Sequence, residues 1–156
     1  MPIRHARLAD IEPLGALLDG YRVFYAQASD PHAARRFVAR RLEQGDSHLL
    51  VHEDDDLLTG FVQCYPLFST VRLARQWRLN DLFVAPEARD RGIGRALMRA
   101  AADQARAEGV HQLTLATGAD NRVAQALYES EGWRRNEAFH HYALSLDGGR
   151  RHAPSA

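Results

Sequence analysis

A chain of 156 residues has room for one domain with a single sizeable core, and 46% apolar with 26% charged residues is an ordinary globular composition. Acidic and basic residues balance, 20 against 20, so no overall field draws the chain to nucleic acid or to an anionic membrane. All 20 basic residues are arginine, which excludes a Schiff-base or nucleophilic lysine. A lone cysteine, Cys64, excludes an intrachain disulfide framework and fits a reducing compartment. Met1 to His5 lacks the apolar stretch of a signal peptide, and no apolar run reaches the roughly 18 residues of a membrane helix. A cytoplasmic protein is expected.

Ile3 to Leu8 patterns as a first strand, with Asp10 as the N-cap of the helix that follows. Ile11, Leu14, Leu17, Leu18, Tyr21 and Phe24 recur in that helix at three- and four-residue spacing. Asp30-Pro31 opens a second helix, with Phe37, Val38 and Leu42 inward and Gly45 at its end. His48 to Glu53 and Leu58 to Pro66 read as a hairpin around Asp54-Asp55-Asp56. Phe68 to Gln76 reads as a loop, and Trp77 to Val84 as a buried strand. A helix runs from Gly92 or Ile93 to Glu108, stopped by Gly109, with Gly94, Met98, Ala101 and Ala105 as a small-sided face. Gln112 to Ala116 is a strand and Asn121 to Glu131 a helix. Trp133 to Asn136 and Phe139 to Leu146 pattern as two last strands, and 147–156 as a disordered tail. The order β-α-α-β-β-β-α-β-α-β-β implies one α/β domain over 1–146, a mixed sheet with helices on its faces.

Two segments carry chemistry. In the first, the strand Leu82-Phe83-Val84 runs through a short turn, Arg89-Asp90-Arg91-Gly92-Ile93-Gly94, into a helix. Unpaired N–H groups and the positive end of the helix dipole make such a terminus an anion site. Gly92 and Gly94 would let a diphosphate approach, and Arg89 and Arg91 add charge. A Rossmann fingerprint fails because Leu97 stands at its third glycine, and a Walker loop fails for want of a lysine. A plain helix start with solvated arginines also fits this segment alone.

The second segment is Asn121-Arg122-Val123-Ala124-Gln125-Ala126-Leu127-Tyr128. At about 100° per residue, Asn121 and Tyr128 fall about 20° apart on one helix face, with Ala124 between as a gap. Taken alone, this segment reads better with Tyr128 as a core aromatic whose hydroxyl reaches the surface.

Together, Arg-x-x-Gly-x-Gly after a strand and a later Asn-x-x-Ala-x-x-x-Tyr resemble the GNAT family of N-acetyltransferases, over residues 1–146. The resemblance implies a mostly antiparallel central sheet flanked by helices on both faces. It also implies acetyl-coenzyme A as co-substrate, with an amine as acceptor. Its pyrophosphate would lie on the turn Arg89 to Gly94, and its pantetheine arm along Leu82 to Val84 in the manner of an added strand. Asn121 would contact the coenzyme, and Tyr128 would protonate the departing thiolate. Leu79 to Val84 and Phe139-x-x-Tyr142-x-Leu144 look like a subgroup with yeast enzymes acting on histones, polyamines or D-amino acids. Relatives of that kind imply a homodimer paired through Phe139 to Leu146.

A small amine or amino acid is the favoured acceptor, with a protein amine or a silent acetyl-coenzyme A binding module as alternatives. An alkyl ammonium is neutral in only about one molecule in 2,500 at pH 7, so its proton must be taken. Many relatives use a glutamate on the central strand, where this chain has Arg78 and Asn80. Asp81 is the carboxylate on that strand, Glu137, His140 and His141 are further candidates, and a water chain needs none of them. Cys64 sits in an apolar strand and reads as a structural thiol. Arg72, Arg75 and Arg78 beside Trp77 read as a solvated basic loop or as a holder of a substrate carboxylate. The eight histidines lack metal spacing, so no metal is expected.

Overall fold

The computed structural model describes residues 2–148. A first strand, β1 (Ile3–His5), leads through a 3-10 turn into α1 (Ile11–Phe24) and α2 (Pro31–Gln44). Three strands follow, β2 (His48–Asp54), β3 (Leu57–Ser69) and β4 (Ala74–Val84). Then come α3 (Ile93–Ala107), the short β5 (Gln112–Thr114) and α4 (Arg122–Ser130). The five strands lie in the order β1-β2-β3-β4-β5, antiparallel except for the parallel β4–β5 pair. A mixed sheet flanked by helices is therefore what the chain forms.

The sheet separates two cores. On one face Leu14, Leu18 and Tyr21 of α1 and Val38 of α2 pack on Val51, Phe61 and Phe83. On the other, Ile93, Leu97, Met98 and Ala101 of α3 and Tyr128 of α4 pack on Leu50, Val62, Trp77 and Leu79. Strands β2 and β3 are buried on both faces, which is why they read as near-continuous apolar runs.

Local chemistry sets most boundaries. The Asp30 carboxylate accepts the Ala33 N–H at 3.0 Å, and Pro31 occupies the first position of α2. Asp55 and Asp56, both at positive φ (48° and 63°), close the β2–β3 hairpin. The strand expected to reach Leu8 stops at His5, because Asp10 captures the turn after it. Its carboxylate takes the Arg7 N–H at 2.7 Å and both Arg4 Nη atoms at 2.8 and 2.9 Å, while Arg4 Nε reaches Glu53.

Four expectations are corrected. The loop expected over Phe68 to Gln76 narrows to residues 70–73, since Leu67 to Ser69 ladder with Ala74 to Gln76. Backbone pairing carries this exposed hairpin end despite its arginines, and Trp77 lies in the core, stacked 3.8 Å from His48. Phe37, expected inward, is 45% exposed. Helix α4 begins at Arg122 and not at Asn121, which caps it. The last two strands, over Trp133 to Asn136 and Phe139 to Leu146, are not formed. A strand needs a ladder partner, and the described residues supply none: β5 is three residues long and pairs with β4 alone. The tail expected over 147–156 lies, from residue 149 onward, outside the described residues. Among the described residues, no helix is long and apolar enough to cross a membrane, and no three His, Cys, Asp or Glu side chains gather as a metal site.

The Asp10 cluster makes a testable contribution to stability. Asp10 is 6% exposed, and its bonds to Arg4, followed by the Arg7 N–H, hold its carboxyl below the ordinary range against the opposing effect of burial. A depressed folded pKa gives stability that is present above the unfolded value of about 3.9 and lost as pH falls through the folded one. Asp10→Ala should cost about 2–3 kcal/mol in urea unfolding at pH 7, and the gap to wild type should shrink on acidification. An unchanged denaturation midpoint would show the cluster to be ornamental.

Candidate active site

Strand β4 changes face midway. Gln63 pairs with Asp81 and Cys64 with Leu79, so Asn80 is an extra residue, a β-bulge. Before it, Trp77 and Leu79 face α3; after it, Asp81 and Phe83 face α1 and α2. Unbroken alternation would have put Asp81 on the same side as Leu79. The β4–β5 ladder ends at Arg78 and Thr114, just before the bulge. From Leu79 to Val84, β4 has β3 on one edge and, among the described residues, no strand on the other.

A cavity of about 330 Å³ opens along that edge. Leu82, Phe83 and Val84 form one wall, Arg89, Asp90, Gly92, Ile93 and Gly94 one end, and Asn121, Ala124, Leu127 and Tyr128 the facing wall. The bulge separates the strands that would otherwise pair, and α4 stands across the gap. Its position is held at both ends. Asn121 Oδ1 accepts the Ala124 N–H at 3.2 Å, and Glu131, just past the helix, binds Arg99 of α3 through both oxygens (2.7 and 3.0 Å) and also Arg95.

The turn at the cavity end is sharply bent. Asp90 and Gly92 adopt positive φ, 62° and 76°, flanking Arg91 and bending the backbone as α3 starts. The first N–H groups of α3 have no intrahelical acceptor. A Cβ added at Gly94 would meet only Val84 Cγ2, at 3.9 Å, so the fold itself does not require glycine there. Of the two arginines expected at this end, Arg89 lines the cavity, its guanidinium 5.5 Å from the ring centres of Phe24 and Phe83 and its Nε on the Val84 carbonyl at 3.0 Å. Arg91 does not line it; its Nη2 lies 2.6 Å from Asp54.

Tyr128 is 8% exposed and packs against Trp133. Burial, followed by the nearby Tyr25, pushes its phenol above the ordinary value. Thr117 acts in the opposite sense, although its buried Oγ1 forms no hydrogen bond of full geometry.

Asp81 lies outside this cavity, in a second one of about 340 Å³ between α1, α2 and strands β3 and β4. Tyr21 lines both. Buried to 8% exposure, Asp81 accepts Gln63 Nε2 at 3.0 Å and Asn80 Nδ2 at 3.1 Å. Glu137, His140 and His141 line neither cavity and are exposed. Cys64 is 1% exposed, and burial, aided by Asp81, pushes its thiol up to about 12, which removes it as a nucleophile.

Sequence reasoning passed over Tyr25, Gln63, Tyr65 and Thr117, and it saw Tyr21 only as a core residue. None belongs to a motif. The one signal available was the polar Gln63 inside the apolar run Phe61 to Tyr65.

A family model described as the acetyltransferase (GNAT) family matches residues 14–133. An uncharacterized N-acetyltransferase of Bacillus subtilis, YhfO, is 43% identical over 94% of this chain and 98% of its own length. The crystal structure of a probable acetyltransferase, 38% identical, superposes with a TM-score of 0.89 over 94% of this chain and 98% of that one. A remoter fold neighbour, 13% identical at a TM-score of 0.74 over 92% and 96% of the two chains, is a predicted acetyltransferase from Clostridium acetobutylicum in a crystal structure with acetyl-CoA. The chain belongs to the GNAT family and is an acyltransferase.

Proposed function

We propose that the chain moves an acetyl group from acetyl-coenzyme A to a small primary amine by direct attack, with the coenzyme in the cavity between β4 and α4. The observation that carries this reading is the end of the β4–β5 ladder at Arg78 and Thr114. It leaves the edge of Leu82 to Val84 without a strand neighbour, apart from the Val84 carbonyl that Arg89 Nε holds, for a slender amide-bearing arm in the way an added strand would use it. Two further features fit the coenzyme. The bent turn with free helix-start N–H groups suits a pyrophosphate, and Gly94 leaves room for it.

Acetyl-coenzyme A supplies an activated thioester: a C–N bond forms, the C–S bond breaks, and an ammonium substrate yields amide, free thiol and one proton. Tyr128 holds its proton at the phenol oxygen and donates it to the departing sulfur. Its raised pKa keeps that proton in place throughout the working range. Asp81 holds the amine as its proton leaves, with water at the cavity mouth as the final acceptor. The main chain of Arg89, Asp90, Arg91, Gly92, Ile93 and Gly94 binds the diphosphate, and Asn121 and Tyr128 close the groove.

The protein works as a homodimer in this reading. Phe139, Tyr142, Leu144 and Leu146 are 67–93% exposed, on a segment whose strand pattern has no partner among the described residues, which also leave the outer edge of β5 unpaired. Light scattering should give twice the chain mass; a monomer at high concentration refutes it. A reducing, cytoplasmic setting suits the buried thiol of Cys64.

Two substitutions test the coenzyme site and the acid. Gly94→Glu should leave the melting temperature of the free protein near wild type, given the open space at that Cβ, and abolish the upward shift caused by acetyl-coenzyme A. Normal binding by calorimetry would dismiss the pyrophosphate assignment. Tyr128→Phe keeps the ring against Trp133 and removes the proton. Coenzyme affinity should hold while kcat falls roughly 10²- to 10⁴-fold. Because the folded-state pKa is raised above about 10, wild-type kcat should show no loss from Tyr128 ionisation between pH 7 and about 9. A Phe variant that melts lower yet turns over like wild type would return Tyr128 to the core.

A further inference from the structure

The second cavity has its own chemistry. Its polar end is Asp81, a carboxylate with no cation within ion-pair distance among the described residues, although it is 8% exposed. Two amides orient it: Asn80, and Gln63, which is itself fixed by Ser47 Oγ on Gln63 Oε1 at 2.9 Å. Amide donors satisfy part of a carboxylate and leave lone pairs for a further donor. The field of that charge is felt around it. Asp81 raises the phenols of Tyr25 and Tyr65 and the thiol of Cys64, in each case after burial, with Tyr65 and Cys64 both pushed up to about 12. A buried carboxylate held this way lacks a cationic hydrogen-bond donor.

The other walls are apolar. Leu18, Ala33, Ala34 and the ring of Tyr21 line the cavity, with Phe37 half-exposed beside them. One cation is present, Arg22, and it is already engaged: its Nη1 donates to the Ala28 carbonyl at 3.0 Å and lies 3.8 Å from Asp19. No second carboxylate lines the cavity. The volume suits a body of about one ring with a short chain. Tyr21, shared with the coenzyme cavity, sets the two sites side by side.

We propose that this cavity is the acceptor site and that it selects a primary alkyl or arylalkyl amine whose ammonium, its only charge, binds Asp81. The proposal rests on the acetyl-transfer reading and narrows it. An α-amino acid brings a carboxylate toward Asp81, and the one cation of the lining, Arg22, already shares its charge with Asp19. A polyamine carries a second ammonium into apolar walls.

The full chain should be assayed with acetyl-coenzyme A and 2-phenylethylamine, phenylalanine, phenylalanine amide, spermidine and a lysine peptide, reading thiol release and acetylated product. The kcat/KM for 2-phenylethylamine should exceed that for phenylalanine by roughly 100-fold, with the amide recovering most of the difference. Spermidine and the peptide should be poor. Asp81→Asn should retain coenzyme binding and raise KM for 2-phenylethylamine by more than about tenfold. Phe37→Ala should raise KM for 2-phenylethylamine but not for ethylamine. Preference for phenylalanine or spermidine, or an Asn variant with wild-type KM, overturns the proposal while acetyl transfer stands. Calorimetric titration of 2-phenylethylamine into wild type and Asp81→Asn separates the other case. Asp81-dependent binding without thiol release keeps the amine site and removes the transfer reading. Neither binding nor release removes both.

Discussion

One extra residue, Asn80, decides the layout of this protein's interior. A strand presents alternate side chains to opposite faces, so inserting a residue into one strand of a pair reverses every side chain beyond it. Before the bulge β4 contributes Trp77 and Leu79 to the core beneath α3; beyond it Phe83 joins the core beneath α1 and Asp81 enters the cavity there. The same irregularity coincides with the end of the β4–β5 ladder. A polar group on one side and a free backbone edge on the other thus have a common origin. Two cavities that meet at Tyr21 follow from it.

The remaining parts of the site are held by ties between elements that are distant in sequence. Glu131 joins the end of α4 to Arg95 and Arg99 on α3, and the Trp133 N–H returns to the Tyr128 carbonyl at 3.0 Å. These bonds fix the wall that faces β4 across the cavity, and the salt bridges among them use no residue that lines it. Glycines divide by role in the same way. A Cβ at Gly60 would come within 2.9 Å of the Phe83 carbonyl, so close packing of β3 on β4 demands glycine there. Gly94 has open space above it, so packing within the fold does not demand its smallness.

Charge is arranged with equal economy. The guanidinium groups near the helix start are already committed, Arg89 over two aromatic rings and Arg91 to Asp54, which leaves the main-chain N–H groups as the uncommitted donors. In the second cavity the position is reversed, with an anion oriented by amides and Arg22 bonded to the Ala28 carbonyl. One cavity thus has a positive main-chain end and the other a negative side-chain end.

The sequence by itself determined the elements whose cause is local. Helix spacing, the Asp30-Pro31 start, the Asp55-Asp56 turn and the Arg89 to Gly94 segment each depend on residues within a few positions, so they were legible as pattern and motif. Asn121 and Tyr128 were legible for the same reason, although Asn121 proved to cap the helix rather than belong to it. Tertiary structure alone decided the rest. A bulge is a relation between two strands, so nothing in Leu79-Asn80-Asp81 announces it, and with it went the face on which Asp81 would emerge. The apolar alternation of Phe139 to Leu146 was legible too, yet alternation specifies a strand only when a ladder partner exists, and among the described residues none does. Gln63, Tyr25 and Thr117 matter through neighbours far along the chain, and burial beside those neighbours is a property that no local pattern encodes.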